Sequence, residues 1–268
     1  MQPTLKFIQE IARQAGSILL SYVGREMNVQ HKSRTDLVTR ADHESERFII
    51  NSIREAFPKH AINAEESGDW EGEPEHQWYI DPLDGTLNFA HGVPLYSVSI
   101  GYAFQGEMTL GVVFDPLREE CFCAECGAGA SLNGAPIRVS DQTDLIECML
   151  GTGFPHDAAA WGSPADNMAN FFHFNRLSQT VRRLGSSAVA VAYVAAGRLD
   201  GFWQVATNQW DVAAGALIVR EAGGIVTDAF GQPDYLAKPV SVLYANPVIH
   251  QKMLAVLDGI RAEQASAA

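Results

Sequence analysis

Asp81 and Asp84 sit three residues apart in Trp78-Tyr79-Ile80-Asp81-Pro82-Leu83-Asp84-Gly85-Thr86-Leu87-Asn88-Phe89. Carboxylates are hard oxygen donors, the type that magnesium or manganese prefers. An apolar strand-like run, Trp78 to Ile80, ends on the first of them. Pro82 then fixes φ and removes a backbone donor, so a turn is expected there. Gly85 lets backbone approach a ligand closely. The amides of Gly85, Thr86 and Leu87 would lie free at the start of a helical turn, a natural place for an anion. Metal ligands beside phosphate-binding amides point to chemistry on a phosphate. Alone, Asp-Pro and Asp-Gly are ordinary dipeptides of surface turns. Here the pair follows a strand, and other acidic clusters flank it in the chain.

The same segment, from Asp81 to Phe89, resembles the signature of the inositol monophosphatase family. Ala64-Glu65-Glu66-Ser67 resembles the family's upstream acidic motif. Trp210-Asp211-Val212-Ala213-Ala214-Gly215, running on to Glu221-Ala222-Gly223-Gly224, resembles its C-terminal motif. The three stand in the family's order, and the resemblance covers nearly all 268 residues, including Asp36 to Asp42. It implies an α/β fold, a layered αβαβα sandwich. An N-terminal α+β half with an antiparallel sheet (1–140) would carry Glu65, Asp81 and Asp84. An α/β half (141–268) would carry Asp211, with the site between the two. A homodimer and sensitivity to lithium are implied as well.

Phosphate monoesters hydrolyse exceptionally slowly without a catalyst. The ester's charge repels a nucleophile, and the leaving alkoxide is poor. Two metal ions about 3.5–4 Å apart answer both difficulties. Such a site needs several carboxylates, and Glu65, Asp81, Asp84 and Asp211 supply them from separate places in the chain. By resemblance, Asp81 would bridge two magnesium ions. Glu65 and the carbonyl of Leu83 would complete the first ion's protein ligands, and Asp84 and Asp211 the second's. A third, weaker ion beside Glu65 is implied, and manganese could replace magnesium. Thr86, its hydroxyl held by Asp42, would orient the attacking water. Gly85 and Thr86 amides would hold the phosphate, with Gly185, Ser186, Ser187, Gln204 and Asp211 as further substrate contacts. Gln204 departs from the family pattern, which commonly has a glutamate gripping substrate hydroxyls.

Each residue also has a simpler reading. Asp211 could be a helix N-cap and Asp42 a cap or solvated charge. Thr86 could merely start a helix. Glu66 would support its loop or face water, and His91 and His156 would be structural. Three functions compete: a magnesium-dependent phosphatase of a small polyol or sugar phosphate, with inositol 1-phosphate as default; the same chemistry on fructose 1,6-bisphosphate, histidinol phosphate or a nucleotide phosphate; and a non-catalytic regulatory binding protein of the same fold. Asn88-Phe89 favours the inositol branch over the nucleotide branch.

Composition agrees with a globular enzyme: 47% hydrophobic and 19% charged residues. The 19 basic and 32 acidic residues give a net charge of −13, which repels nucleic acid and anionic membrane. No apolar run approaches membrane-spanning length and no signal-peptide core is present, so a cytoplasmic protein is expected. Cys121, Cys123, Cys126 and Cys148 fit reduced thiols; Cys123 and Cys126 have zinc spacing, but no second pair follows.

These groups need a scaffold. Periodic apolar residues predict a helix over 3–23 and a second after Asp42, with Phe48, Ile49, Ile53 and Phe57 buried and Pro58 past its end. Ala61 to Ala64 reads as a strand delivering Glu65, and Ser67 to Glu75 as a loop. Ser97 to Phe104 and Met108 to Phe114 form a hairpin around Gln105-Gly106, with Cys121 to Glu125 a third strand and Asn133-Gly134 another turn. Beyond about residue 140, helices are expected at 167–176, 186–196, 211–222 and 247–262. Strands are expected at 181–184, 199–205, 225–227 and 240–245.

Overall fold

A computed structural model describes residues 1–24, 30–31, 37–155 and 167–267. His156, Asp36 and most of the polar stretch after His31 lie outside the described residues. The first helix, α1 (Leu5–Tyr22), follows from its apolar period: Ile8, Ile11, Ala12, Ala15 and Leu19 are buried, and the Thr4 hydroxyl caps it by accepting from Phe7 N. Two short strands, β1 (Gln30–His31) and β2 (Leu37–Val38), pair before α2 (Arg40–Ala56). The chain continues through β3 (His60–Ala64), β4 (Gly68–Trp70), β5 (Glu73–Asp84), α3 (Thr86–Ala90), β6 (Ser97–Phe104), β7 (Glu107–Asp115), β8 (Glu120–Glu125), β9 (Gly129–Leu132) and β10 (Ala135–Pro136). Then come β11 (Met149–Thr152), α4 (Met168–Leu177), β12 (Thr180–Arg182), α5 (Ser187–Ala195), β13 (Gly201–Thr207), α6 (Gln209–Glu221), β14 (Ile225–Thr227), β15 (Val240–Ala245) and α7 (Pro247–Ala267).

The strands form an eight-stranded sheet, β10-β9-β8-β7-β6-β5-β3-β4, and a five-stranded one, β12-β11-β13-β15-β14, besides the β1–β2 pair. The burial pattern of the helices stacks them. α1 and α2 are amphipathic and cover one face of the large sheet, packing Ile8, Ile49 and Ile53 on Trp78, Ile80 and Ile100. α5 and α6 are apolar almost all round, with Val212 to Val219 buried without a break. A helix of that kind must be covered on both sides. These two lie between the sheets, sharing a core with Val113 and Phe122 of one and Phe202 and Tyr244 of the other. The outer face of the small sheet packs Leu150 and Trp203 against Phe174 of α4 and Met253 of α7. The result is the expected αβαβα layering. α6 reaches the large sheet closely because Gly111 has no side chain: a Cβ there would sit 2.7 Å from the Ala214 carbonyl oxygen.

Three expectations change. The large sheet is mixed, since β3 and β5 run parallel: the chain reverses into β4, then crosses to β3's other edge. The Ser67 to Glu75 stretch is not all loop. Trp70 donates its indole N–H to Ser67 and lies under the Arg54 guanidinium, which holds β4 as a short edge strand. The strand before Asp81 does not stop there but runs through Pro82 to Asp84. Among the described residues no helix is long and apolar enough to cross a membrane.

Candidate active site

The run through Pro82 decides where the aspartates point. Along β5, Trp78 and Ile80 face α1 and α2, whereas Tyr79 faces the α5–α6 layer. Strict alternation would aim Asp81 at that inner layer and Asp84 away from it. β5 pairs Asp81 with Ser99 but Asp84 with Ser97, so three residues of β5 span two of β6. This bulge re-aims Asp84 onto the face of Asp81. Pro82, which cannot donate to a ladder, sits inside it, and its carbonyl accepts from Ser45 of α2 at 2.9 Å. Glu65 arrives beside them because β3 is parallel to β5: Ala64 faces Ile80, and Glu65 N donates to Ile80 O at 3.1 Å.

Gly85 has φ +96°, a left-handed conformation. A Cβ there would lie 3.1 Å from Leu95 O and 3.2 Å from both Gly185 O and Ser186 Cβ, so only glycine closes this turn. Asn88 ties it to the chain ahead of α5, donating to Leu95 O at 2.8 Å and Leu184 O at 2.9 Å. Asp84 reaches across to the same place. Its carboxylate accepts from Ser187 N at 3.1 Å, Ala188 N at 2.9 Å and the Ser186 hydroxyl. It thus anchors the α5 N-terminus, where anionic groups are favoured.

Asp42 and Asp211 occupy equivalent positions in their helices. Each is the third residue and accepts from the backbone N–H at the helix N-cap, Thr39 N at 2.9 Å for Asp42 and Asn208 N at 3.0 Å for Asp211. The cap reading is therefore correct in kind, but neither residue is the N-cap itself. Asp42 also accepts from the hydroxyl of Thr86 at 2.9 Å, across 44 residues of chain. The Thr86 oxygen lies 3.0 Å from Leu83 O as well. Asp211 takes a second bond, from Thr207 at 2.7 Å.

Glu65, Asp81, Leu83, Asp84, Gly85, Thr86, Gly185, Ser186, Ser187, Gln204 and Asp211 all line one cavity of about 360 Å³, while Asp42 stands behind Thr86. His91 caps α3 at the surface, away from it. Glu66 is held outside the group, its N–H bonded to the buried carboxylate of Glu46 at 2.8 Å. Cys121 and Cys123 are buried on β8, and Cys126 is exposed. Sequence reasoning missed Ser45, Glu46, Phe154 and Arg183. All depend on partners or neighbours distant in the chain, and no local pattern marks them.

The electrostatics follow from this crowding. Burial, with the charges of Glu65, Asp84 and Asp211 added, pushes the Asp81 carboxyl well above the ordinary range. Burial also raises Asp84 to about 6, with Asp211 adding to it, against the opposing bonds from Ser186, Ser187 and Ala188. Burial raises Asp42 despite its bonds from Thr39 and Thr86. Like charges gathered out of water call for a counter-cation. The donors are all oxygen, and the set fits magnesium, manganese or calcium in type. In this arrangement no three acidic, histidine or cysteine side chains among the described residues close into a ligand cage. Asp84 and Asp211 are engaged instead by α5 and by Thr207 and Asn208.

The model of the inositol monophosphatase family matches residues 1–262. "Nus factor SuhB" of Pseudomonas aeruginosa is 43% identical over 247 residues, 89% of this chain and 90% of that protein. "Inositol-1-monophosphatase" of Synechocystis is 43% identical over 256 residues, 94% of this chain and 88% of that one. The solved inositol monophosphatase of Anabaena (Nostoc) superposes with a TM-score of 0.85 at 40% identity, covering 95% of each chain. The bulged aspartate strand, the paired capping aspartates and these likenesses agree: the chain belongs to the inositol monophosphatase family and is a phosphatase.

Proposed function

We propose that this protein hydrolyses the phosphate ester of a small polyol or sugar, with inositol 1-phosphate as the reference substrate and magnesium as the cofactor. Four carboxylates lining one cavity with the Gly85–Thr86 turn carry this reading. Glu65, Asp81, the Leu83 carbonyl, Asp84 and Asp211 would hold the ions, Asp81 being shared between two. Bound divalent ions supply positive charge that offsets the ester's own and acidifies water. Asp84, whose two oxygens are both bonded at the start of α5, would turn from part of these bonds to meet an ion, whereas Asp211 caps its helix through Oδ2. The Gly85 and Thr86 amides would hold phosphate oxygens. Thr86 donates its proton to Asp42, so its oxygen lone pair is left to accept from water and aim it at phosphorus. On the family likeness we further infer a homodimer, lithium inhibition and a cytoplasmic setting.

The relatives named Nus factors favour a second reading, a regulatory binding protein of the same fold. Phosphate release from a panel of esters, compared by kcat/KM with and without magnesium, separates the two. Magnesium-dependent release supports the enzyme, with calcium binding but turning over little. No release from any ester would leave the binding role.

A further inference from the structure

The cavity is lined by Glu65, Asp81, Asp84 and Asp211, and among the described residues lining it Arg183 is the one cation. Several other arginines are occupied, whereas Arg13, Arg54 and Arg176 lie over rings elsewhere in the molecule, outside this cavity. Arg198 pairs with Glu120, Arg118 with Asp115, Arg261 with Asp258 and Arg40 with Glu44, and Arg182 donates to Thr180. Among the described residues Arg183 enters no ion pair and no hydrogen bond. Its guanidinium lies over the ring of Phe154, 5.2 Å from the centroid. Phe154 is itself fixed, 8% exposed and packed on Phe171. The stack holds the guanidinium at the cavity mouth while its N–H fork stays open, an arrangement suited to bidentate capture of an oxyanion.

Gln204 adds to this. It is 5% exposed at the cavity wall, against Gly153, where a Cβ would lie 2.4 Å from its carboxamide carbon. Its carbonyl accepts from the Ser187 hydroxyl at 2.8 Å. Its amide nitrogen has no protein acceptor among the described residues, and the residue lines the cavity. A glutamate here would present acceptors to substrate hydroxyls. This carboxamide presents donors. The cavity that holds the carboxylates therefore also carries a stacked cation and an amide N–H group, and both suit an anion.

Resting on the phosphatase reading, we propose that the preferred substrate carries a second phosphate on its alcohol part, and that Arg183, aided by Gln204, is the residue that selects it. The scissile phosphate sits at the carboxylate and Gly85 end, and the second one under Arg183. A matched pair tests this: fructose 1-phosphate and fructose 1,6-bisphosphate, which share one ester and differ by the second phosphate. The bisphosphate is expected to have the higher kcat/KM by about tenfold, or 1.4 kcal/mol. The preference should shrink as salt rises. Arg183→Gln should bring the ratio close to one, and Arg183→Lys, which keeps the charge without the fork, should restore part of it. Calorimetric binding of both esters, with calcium in place of magnesium, reads the same contact without turnover. If neither ester is hydrolysed in magnesium, the phosphatase reading falls, and the binding ratio still decides the role of Arg183. A ratio near one in the unmodified protein, or one that Arg183→Gln leaves unchanged in both assays, overturns the proposal.

Discussion

Thr86→Val isolates the link between the Asp42 helix and the aspartate turn. Valine keeps the shape of threonine and removes only the hydroxyl. In the structure that hydroxyl lies 2.9 Å from Asp42 Oδ1 and 3.0 Å from Leu83 O, and one proton serves both. Asp42 is fully buried, so losing a donor to its carboxylate leaves charge less well satisfied. A hydrogen bond to a charged group is worth about 1.5–3 kcal/mol. The Thr39 N–H and hydroxyl, at 2.9 and 2.5 Å, still hold the other oxygen, so the loss should fall at the low end of that range and the fold should survive. The effect on turnover should be larger. If the Thr86 oxygen aims the attacking water, its removal costs about 10²–10⁴-fold in kcat. Phosphate release at saturating magnesium, beside a denaturant midpoint, reads the two effects separately. Thr86→Ser, which keeps the hydroxyl, should recover most of kcat. Equal losses for valine and serine, or a valine variant that loses stability but keeps kcat within a few-fold, would refute the reasoning.

Gln204→Glu should shift selectivity toward polyol monophosphates, because it replaces amide donors by charged acceptors, which bond about twice as strongly. The ratio of kcat/KM for inositol 1-phosphate over fructose 1,6-bisphosphate should rise several-fold, about 1 kcal/mol of differential binding, and an unchanged ratio would mean that Gln204 does not select. The His60 ring is buried, stacked at 4.0 Å on His76, and accepts from Trp78 Nε1 at 3.1 Å. Burial, then the neighbouring His76, lowers its pKa to about 4. The folded state thus binds this proton less readily than the unfolded chain, whose histidine titrates near 6.5. The resulting stability is present above pH 6.5 and is lost as pH falls toward 4. His60→Gln, neutral throughout, should flatten the fall of the melting temperature between pH 7 and pH 5; an identical fall would place the acid sensitivity elsewhere.

The acidic site was legible because its residue types announce themselves. Glu65, Asp81, Asp84 and Asp211 are hard oxygen donors in three acidic motifs, and all four line one cavity. The bulge that brings Asp84 onto the face of Asp81 was not legible. Proline suggested an end to the strand, whereas pairing with Ser97 and Ser99 carries the strand past it. The double engagement of Asp42 and Asp211, as capping partners and as neighbours of the candidate site, was visible only as competing alternatives. Local sequence cannot show that one carboxylate has oxygens for both. Asn88 entered only through the family resemblance, because its clamp on Leu184 spans 96 residues. Arg183 and Phe154 carried no local signal, since their stack joins the end of β11 to the approach of α5. The helices and most strands followed their apolar periods. β4 did not, because tertiary contacts to Trp70 outweigh an acidic, glycine-containing sequence.

The most direct test of the account pairs Asp81→Asn with removal of divalent ions. Protein stripped by chelator should release no phosphate from inositol 1-phosphate and should recover on addition of magnesium. Asp81→Asn should lose roughly 10³-fold or more in kcat with magnesium present, the several kcal/mol that a shared metal ligand supplies. Its affinity for manganese, read by titration calorimetry, should fall as well. Because Asp81 is buried against Glu65, Asp84 and Asp211, the neutral amide should leave the metal-free melting temperature unchanged or higher. Full turnover in excess chelator, or an Asp81→Asn protein that binds manganese and releases phosphate like the parent, would contradict the account.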